Sequence, residues 1–89
     1  MNKLKPANSF KRDMKKQSLE LLLSPEWIAV TNCLINGTTM SEEHHDHDLK
    51  GKWKGSRECH IKPDLLLIYE YQDEHILLQR IGSHSELFG

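Results

Sequence analysis

Cysteine is scarce: Cys33 and Cys59 are the only two in the 89-residue chain. They are too few and too far apart for a disulfide framework, so two reduced, mostly buried thiols in a cytoplasmic protein are expected. Five glycines and three prolines leave no room for low-complexity or collagen-like sequence. Long apolar runs are missing too. The longest, Leu21–Leu23 and Leu65–Tyr69, fall far short of the ~20 residues of a membrane-spanning helix, so no membrane is expected among the partners. The N-terminal cations have no apolar block behind them, and no secretory signal is expected. A net charge of −1 does not announce a nucleic-acid binder.

The distribution of charge says more than its sum. Residues 1–16 hold Lys3, Lys5, Lys11, Arg12, Lys15 and Lys16 against Asp13 alone, whereas residues 17–49 contain six acids and no Lys or Arg. Lys50, Lys52, Lys54, Arg57 and Lys62 then crowd into a second basic cluster. Two such clusters build a phosphate-facing patch if folding brings them together.

The length suits a single domain over residues 1–89, and 37% hydrophobic with 28% charged residues is ordinary for a soluble globule. Lys3–Leu4–Lys5 alternates like a short strand closed by Pro6. Phe10, Met14, Gln17 and Leu21 share one face at helical spacing, which predicts a helix from about Phe10 to Leu22 with a basic outer surface. Ser24–Pro25–Glu26 starts a second helix, with an apolar stripe of Trp27, Ile28, Val30, Leu34 and Ile35, and Gly37 ends it. After the polar loop GTTMSEEHHD, Trp53–Ile61 suits a strand or a broken pair, with Gly51 and Gly55 as bends. Leu65–Tyr71 and His75–Ile81 predict a hairpin turning at Gln72–Glu74. The expected fold is α+β: an N-terminal strand and a two-helix hairpin packed on a three- to four-stranded antiparallel sheet.

Histidine carries the chemistry. Its unperturbed pKa lies nearest neutrality, so it exchanges protons without help. Within the strand around Arg57–Ile61, Glu58 and His60 share one face and Arg57 and Cys59 the other. The following hairpin brings Asp64, at the start of one strand, toward Gly82–His84 at the end of the next, with Arg80 nearby. Histidines, an aspartate and an arginine converging at one sheet end suggest acid–base work on an anion. A rival reading gathers His47, His60, His84 and Cys59, or the HHDHD run, around zinc. The spacing matches no recognised finger or HExxH pattern, so neither a metal nor another cofactor is expected.

Two segments, DHDLKGKWKGSRECHIKPDLLLIY (Asp46–Tyr69) and RIGSHSELFG (Arg80–Gly89), resemble the YafQ branch of the RelE/ParE toxins of bacterial toxin–antitoxin modules. The shared pattern is DH-x-L-x-G-x-W, then R-x-x-H-x-x-PD, then R-x-G-x-H-x-x-LF. Over residues 1–45 the likeness rests on length and on the order strand, helix, helix. The resemblance implies a RelE-like fold and a ribosome-dependent mRNA endonuclease, neutralised by a cognate antitoxin. Position by position it implies a site of His47, His60, Asp64, Arg80, His84 and Phe88. Metal-independent cleavage at an RNA 2′-OH needs a base, an acid for the leaving 5′-oxygen and a cation for the phosphorane. His84 is then expected as the acid and His60 with Asp64 as the base side, or the reverse, since Asp64 near an imidazole favours the protonated ring, with His47 assisting. Arg80 would stabilise charge and Phe88 would stack on a base. Lys50, Lys52, Lys54, Arg57, Lys62 and the cations of the first helix would grip mRNA or rRNA backbone. Two other classes stay open: a non-catalytic ParE-like binding toxin, and a small His-rich metal-binding protein.

Overall fold

The strongest apolar run in the chain lies at the centre of the sheet. β3 (Arg57–Lys62), β4 (Leu65–Tyr71) and β5 (His75–Gly82) form an antiparallel meander in a computed structural model that describes residues 1–89. Leu66, Leu67, Ile68 and Tyr69 of β4 are all buried. The strand is covered on both faces, so it reads as a continuous apolar run instead of alternating.

Two short strands extend this meander. β1 (Lys3–Pro6) pairs with β5, and β2 (His47–Asp48) pairs with β3, giving the order β1-β5-β4-β3-β2. The sheet is therefore five-stranded and mixed, because β1 runs parallel to β5, where a three- to four-stranded antiparallel sheet was expected. Pro6 sits on an edge strand, where a missing N–H is tolerated. Two polar residues make β2, too few for any period to register.

Helices α1 (Asn8–Met14), α2 (Leu19–Leu22) and α3 (Pro25–Asn36) precede the meander. The helix expected from Phe10 to Leu22 is broken, with Ser18 extended between α1 and α2. Lys15, Lys16 and Ser18 are exposed, so no burial supports a helix across that stretch. α3 begins as its sequence dictates: Trp27 N–H donates to Ser24 Oγ at 3.3 Å, and Gly37 (φ 68°) ends it in the left-handed region. Ile28 is not in the buried stripe; it is 54% exposed. The main core lies between these helices and one sheet face, and contains Phe10, Leu21, Val30, Leu34, Ile61, Leu67, Tyr69, Ile76 and Ile81. No helix is long and apolar enough to cross a membrane.

The opposite sheet face is only partly covered. Leu66 and Ile68 meet Leu87 of α4 (His84–Phe88), with Leu49, Trp53 and Phe88 packed around them. α4 was not expected, although its signal is in the sequence. Ser83 and Glu86 form a reciprocal capping box, with Ser83 N–H donating to Glu86 Oε1 at 2.7 Å and Glu86 N–H to Ser83 Oγ at 3.2 Å.

A bulge in β5 sets the side-chain faces. Ile68 pairs with Arg80 but Tyr69 pairs with Leu78, so Gln79 is the extra residue. Strict alternation would put Arg80 on the same face as Ile76 and Leu78, toward the core. The bulge turns it to the open face beside Ile68. Ser9 Oγ donates to the Gln79 carbonyl at 2.6 Å and Ser56 Oγ donates to Gln79 Oε1 at 2.7 Å, so the bulged residue is held from both sides.

Candidate active site

One row of cross-strand partners runs across the open face. His47 pairs with Glu58, Glu58 with Ile68, and Ile68 with Arg80. Directly opposed residues project to the same side, so His47, Glu58 and Arg80 share a surface about 14 Å wide at three strand spacings. The next row is His60, Leu66 and Gly82, and His84 follows Gly82 by two residues. The chain thus brings His47 and His60 together and sets Arg80 and His84 at the far ends of the two rows.

Glu58 is the centre of this arrangement. The residue is 5% exposed, with His60 Nε2 at 3.4 Å and His47 Nε2 at 3.7 Å from its Oε1. A carboxylate so far removed from water requires partners, and these two rings are the basic groups within reach. Sequence reasoning put Glu58 on the His60 face but gave it no role. The missing signal was β2, whose pairing brings His47 opposite Glu58.

Backbone carbonyls orient the histidine segment. His47 Nδ1 lies 2.5 Å from the His45 carbonyl, and His44 Nδ1 lies 2.7 Å from the His60 carbonyl. A carbonyl only accepts, so both Nδ1 atoms carry the proton. His47 therefore turns Nε2 toward Glu58. His45 adopts the left-handed region (φ 46°), and its ring meets that of His60 at 5.2 Å. A cleft of about 500 Å³ opens beside this ring pair, between Glu43, His44, His60 and Lys62. The histidines of the HHDHD run thus face different partners, and no group of three or more His, Cys, Asp or Glu side chains is arranged to hold a metal ion.

Asp64 lies beside His84, as the hairpin requires, but it meets the His84 backbone and not the His60 ring. Its Oδ1 accepts the His84 backbone N–H at 3.0 Å, so it anchors α4. α4 carries both remaining candidates, with the His84 and Phe88 rings 5.2 Å apart. Phe88 also packs against the Leu66–Ile68–Leu87 cluster, which ties its ring to the sheet.

Arg80 is held from outside the sheet. Its Nε and Nη2 donate to the two oxygens of Asp13 on α1, at 2.7 and 3.2 Å, and Ile81 N–H donates to Asp13 Oδ2 at 3.0 Å. Burial alone would raise the Asp13 pKa, but the Arg80 and Ile81 hydrogen bonds and the Arg80 and Lys16 charges outweigh it, and the net shift is downward. Arg80 shifts upward in turn, chiefly through its hydrogen bond to Asp13.

The basic residues expected to grip RNA divide into two groups. Lys50, Lys52, Lys54 and Lys62 are exposed, the first three around the short helical turn Gly51–Trp53. Arg57 does not join them. Strand alternation puts it on the helix side of β3, where its guanidinium donates to Asp48 at 2.6 Å and Asp46 at 3.2 Å. Tyr69 OH donates to the other Asp46 oxygen at 2.5 Å. Burial opposes the Arg57 charge, yet the Asp46 and Tyr69 contacts prevail and raise its pKa. Arg57 is thus already paired with two carboxylates.

A family model described as the bacterial toxin of type II toxin–antitoxin systems, YafQ, matches residues 2–89. The chain is 41% identical over 78 residues to a protein named as a YafQ toxin in Haemophilus influenzae, an alignment covering 83% of this chain and 76% of that one. It is 44% identical over 57 residues to the mRNA interferase toxin YafQ of Escherichia coli K12, covering 63% of this chain and 62% of the relative, less than two thirds of its length. Among solved structures, a copper-bound toxin mutant from Helicobacter pylori superposes with a TM-score of 0.84 at 42% identity, over 99% of this chain and 100% of that one. A chain of the E. coli DinJ–YafQ toxin–antitoxin complex superposes with a TM-score of 0.78 at 29% identity, over 99% and 98%.

Proposed function

The chain belongs to the YafQ family of type II toxin–antitoxin toxins, and from that membership we propose that it is an endoribonuclease cutting mRNA on the ribosome. The observation that carries the reading is the His47–Glu58–His60 cluster, which shares the open sheet face with Arg80. The cut is a transesterification at the 2′-OH. A base on the His60–Glu58 side, assisted by His47, takes the hydroxyl proton. The 2′-oxygen attacks phosphorus, and Arg80 stabilises the charge that gathers on the phosphorane. His84 gives a proton to the departing 5′-oxygen. The products are a 2′,3′-cyclic phosphate and a 5′-OH, and no metal enters these steps.

Phe88 supplies a stacking surface for an unpaired base, and Lys50, Lys52, Lys54 and Lys62 meet the RNA backbone. Asp64 serves the site by holding the first turn of α4. A cognate antitoxin neutralises the protein, as a reading supported by the DinJ–YafQ complex of the E. coli relative. The test is cleavage-end mapping in a reconstituted translation system. Cyclic-phosphate and 5′-OH ends on translated mRNA, lost with His60→Ala and His84→Ala, are expected. Intact mRNA with the wild-type protein would remove the enzyme and leave a binding toxin.

A further inference from the structure

We propose that Asp13 is a positioning residue of the active site, holding the Arg80 guanidinium in place for the scissile phosphate; this rests on the nuclease reading above. β1 pairs with β5 only as far as Leu78, so the β5 edge from Gln79 onward has no strand beside it. α1 fills that gap with side chains. Ser9 Oγ takes the Gln79 carbonyl, and Asp13 takes the Ile81 N–H at 3.0 Å. Asp13 thus has a fixed address on the edge strand, independent of Arg80.

The guanidinium docks on that fixed carboxylate through two of its nitrogens, Nε and Nη2. Arg80 is a long side chain with many rotamers when free, and only 28% of it is exposed here, against 12% of Asp13. Two parallel N–H···O bonds set both the direction and the plane of the fork. Nη1 makes no hydrogen bond and is free to meet a phosphate oxygen. The Gln79 bulge brings Arg80 to the open face, and Asp13 decides where along that face its charge sits. An isolated ion pair on a solvated surface would carry no such meaning. This one is shielded, anchored to backbone, and placed at the end of the row that contains His47 and Glu58.

The experiment compares Asp13→Asn, Arg80→Ala and the double variant for mRNA cleavage on programmed ribosomes, each at a temperature where it is folded. Asp13→Asn keeps an oxygen for the Ile81 N–H but loses the charge that locks the guanidinium. The expected result is a 10- to 100-fold lower kcat with KM changed less than threefold. The double variant should be no slower than Arg80→Ala alone, because two residues acting through one group are not additive. Wild-type kcat in Asp13→Asn, or a further tenfold loss in the double variant, would overturn the assignment while leaving the nuclease reading intact. A wild-type protein that cuts no mRNA overturns both.

Discussion

The His84 amide and the Asp64 carboxylate are joined by a hydrogen bond of 3.0 Å, so the turn between β3 and β4 sets where α4 begins. That relationship separates two roles for Asp64. Asp64→Asn keeps an acceptor oxygen for the amide, whereas Asp64→Ala does not. We expect Asp64→Asn to cleave mRNA within about tenfold of wild type and Asp64→Ala to lose about 100-fold, the cost of a displaced reacting group. Single-turnover cleavage on programmed ribosomes measures both. Equal loss in the two variants would make Asp64 a proton-transfer group.

Glu58 is predicted to limit stability while supporting catalysis. Its buried carboxylate faces two imidazoles at 3.4 and 3.7 Å without a direct backbone donor. Glu58→Gln keeps the shape and removes the charge. Cleavage should fall by about 10²–10⁴-fold if the carboxylate serves the base side. Stability to urea should hold or rise, since an uncharged amide is easier to bury. Activity and stability moving in opposite directions is the expected signature; a parallel fall in both would make Glu58 a structural ion-pair partner.

Asp13 makes stability depend on pH, with a definite sign. Its folded-state pKa lies below the unfolded value of 3.8, so its contribution is fully present above that value. It is lost as pH falls through the folded pKa, because protonation then breaks the Arg80 contact. Asp13→Asn should therefore be less stable than wild type by about 1.5–3 kcal/mol at pH 7. The gap should narrow steadily below about pH 4. Urea melts of both proteins from pH 2.5 to 7 test this, and a gap independent of pH would contradict it.

The three strands of the meander and α3 were legible because each rests on a local pattern: alternation in β3 and β5, an apolar run in β4, and Ser24, Pro25 and Gly37 bounding α3. The site was legible in part. His47, His60, Arg80 and His84 carry a spaced family pattern, but nothing local links His47 to Glu58. That contact depends on β2, two polar residues whose pairing is settled by the rest of the sheet. Arg80 shows the same limit. Counting by twos from Ile76 puts it in the core, and only the Gln79 bulge turns it outward. The partners of Arg57 were not legible either, because a cation in a basic cluster looks unpaired until Asp46 and Asp48 fold back onto it.

Tyr69 offers the complementary test, on the face away from the chemistry. Its ring is fully buried, its hydroxyl donates to Asp46 at 2.5 Å, and burial followed by the Asp46 contact raises its pKa. Tyr69→Phe should cost about 1–1.5 kcal/mol for the lost hydrogen bond and the acceptor left behind. For a domain of this size that is a fall in Tm of about 4–12 °C. Asp46→Ala should cost more, about 2–3 kcal/mol, because it strands the Tyr69 hydroxyl and takes one of the two carboxylates from Arg57. Cleavage per folded molecule by Tyr69→Phe should match wild type, since the proposed site lies on the other face of β3 and β4. A Tyr69→Phe protein that is fully folded yet slow would mean that the Asp46–Arg57–Tyr69 cluster sets the position of His47, and that the two faces of β3 act as one unit.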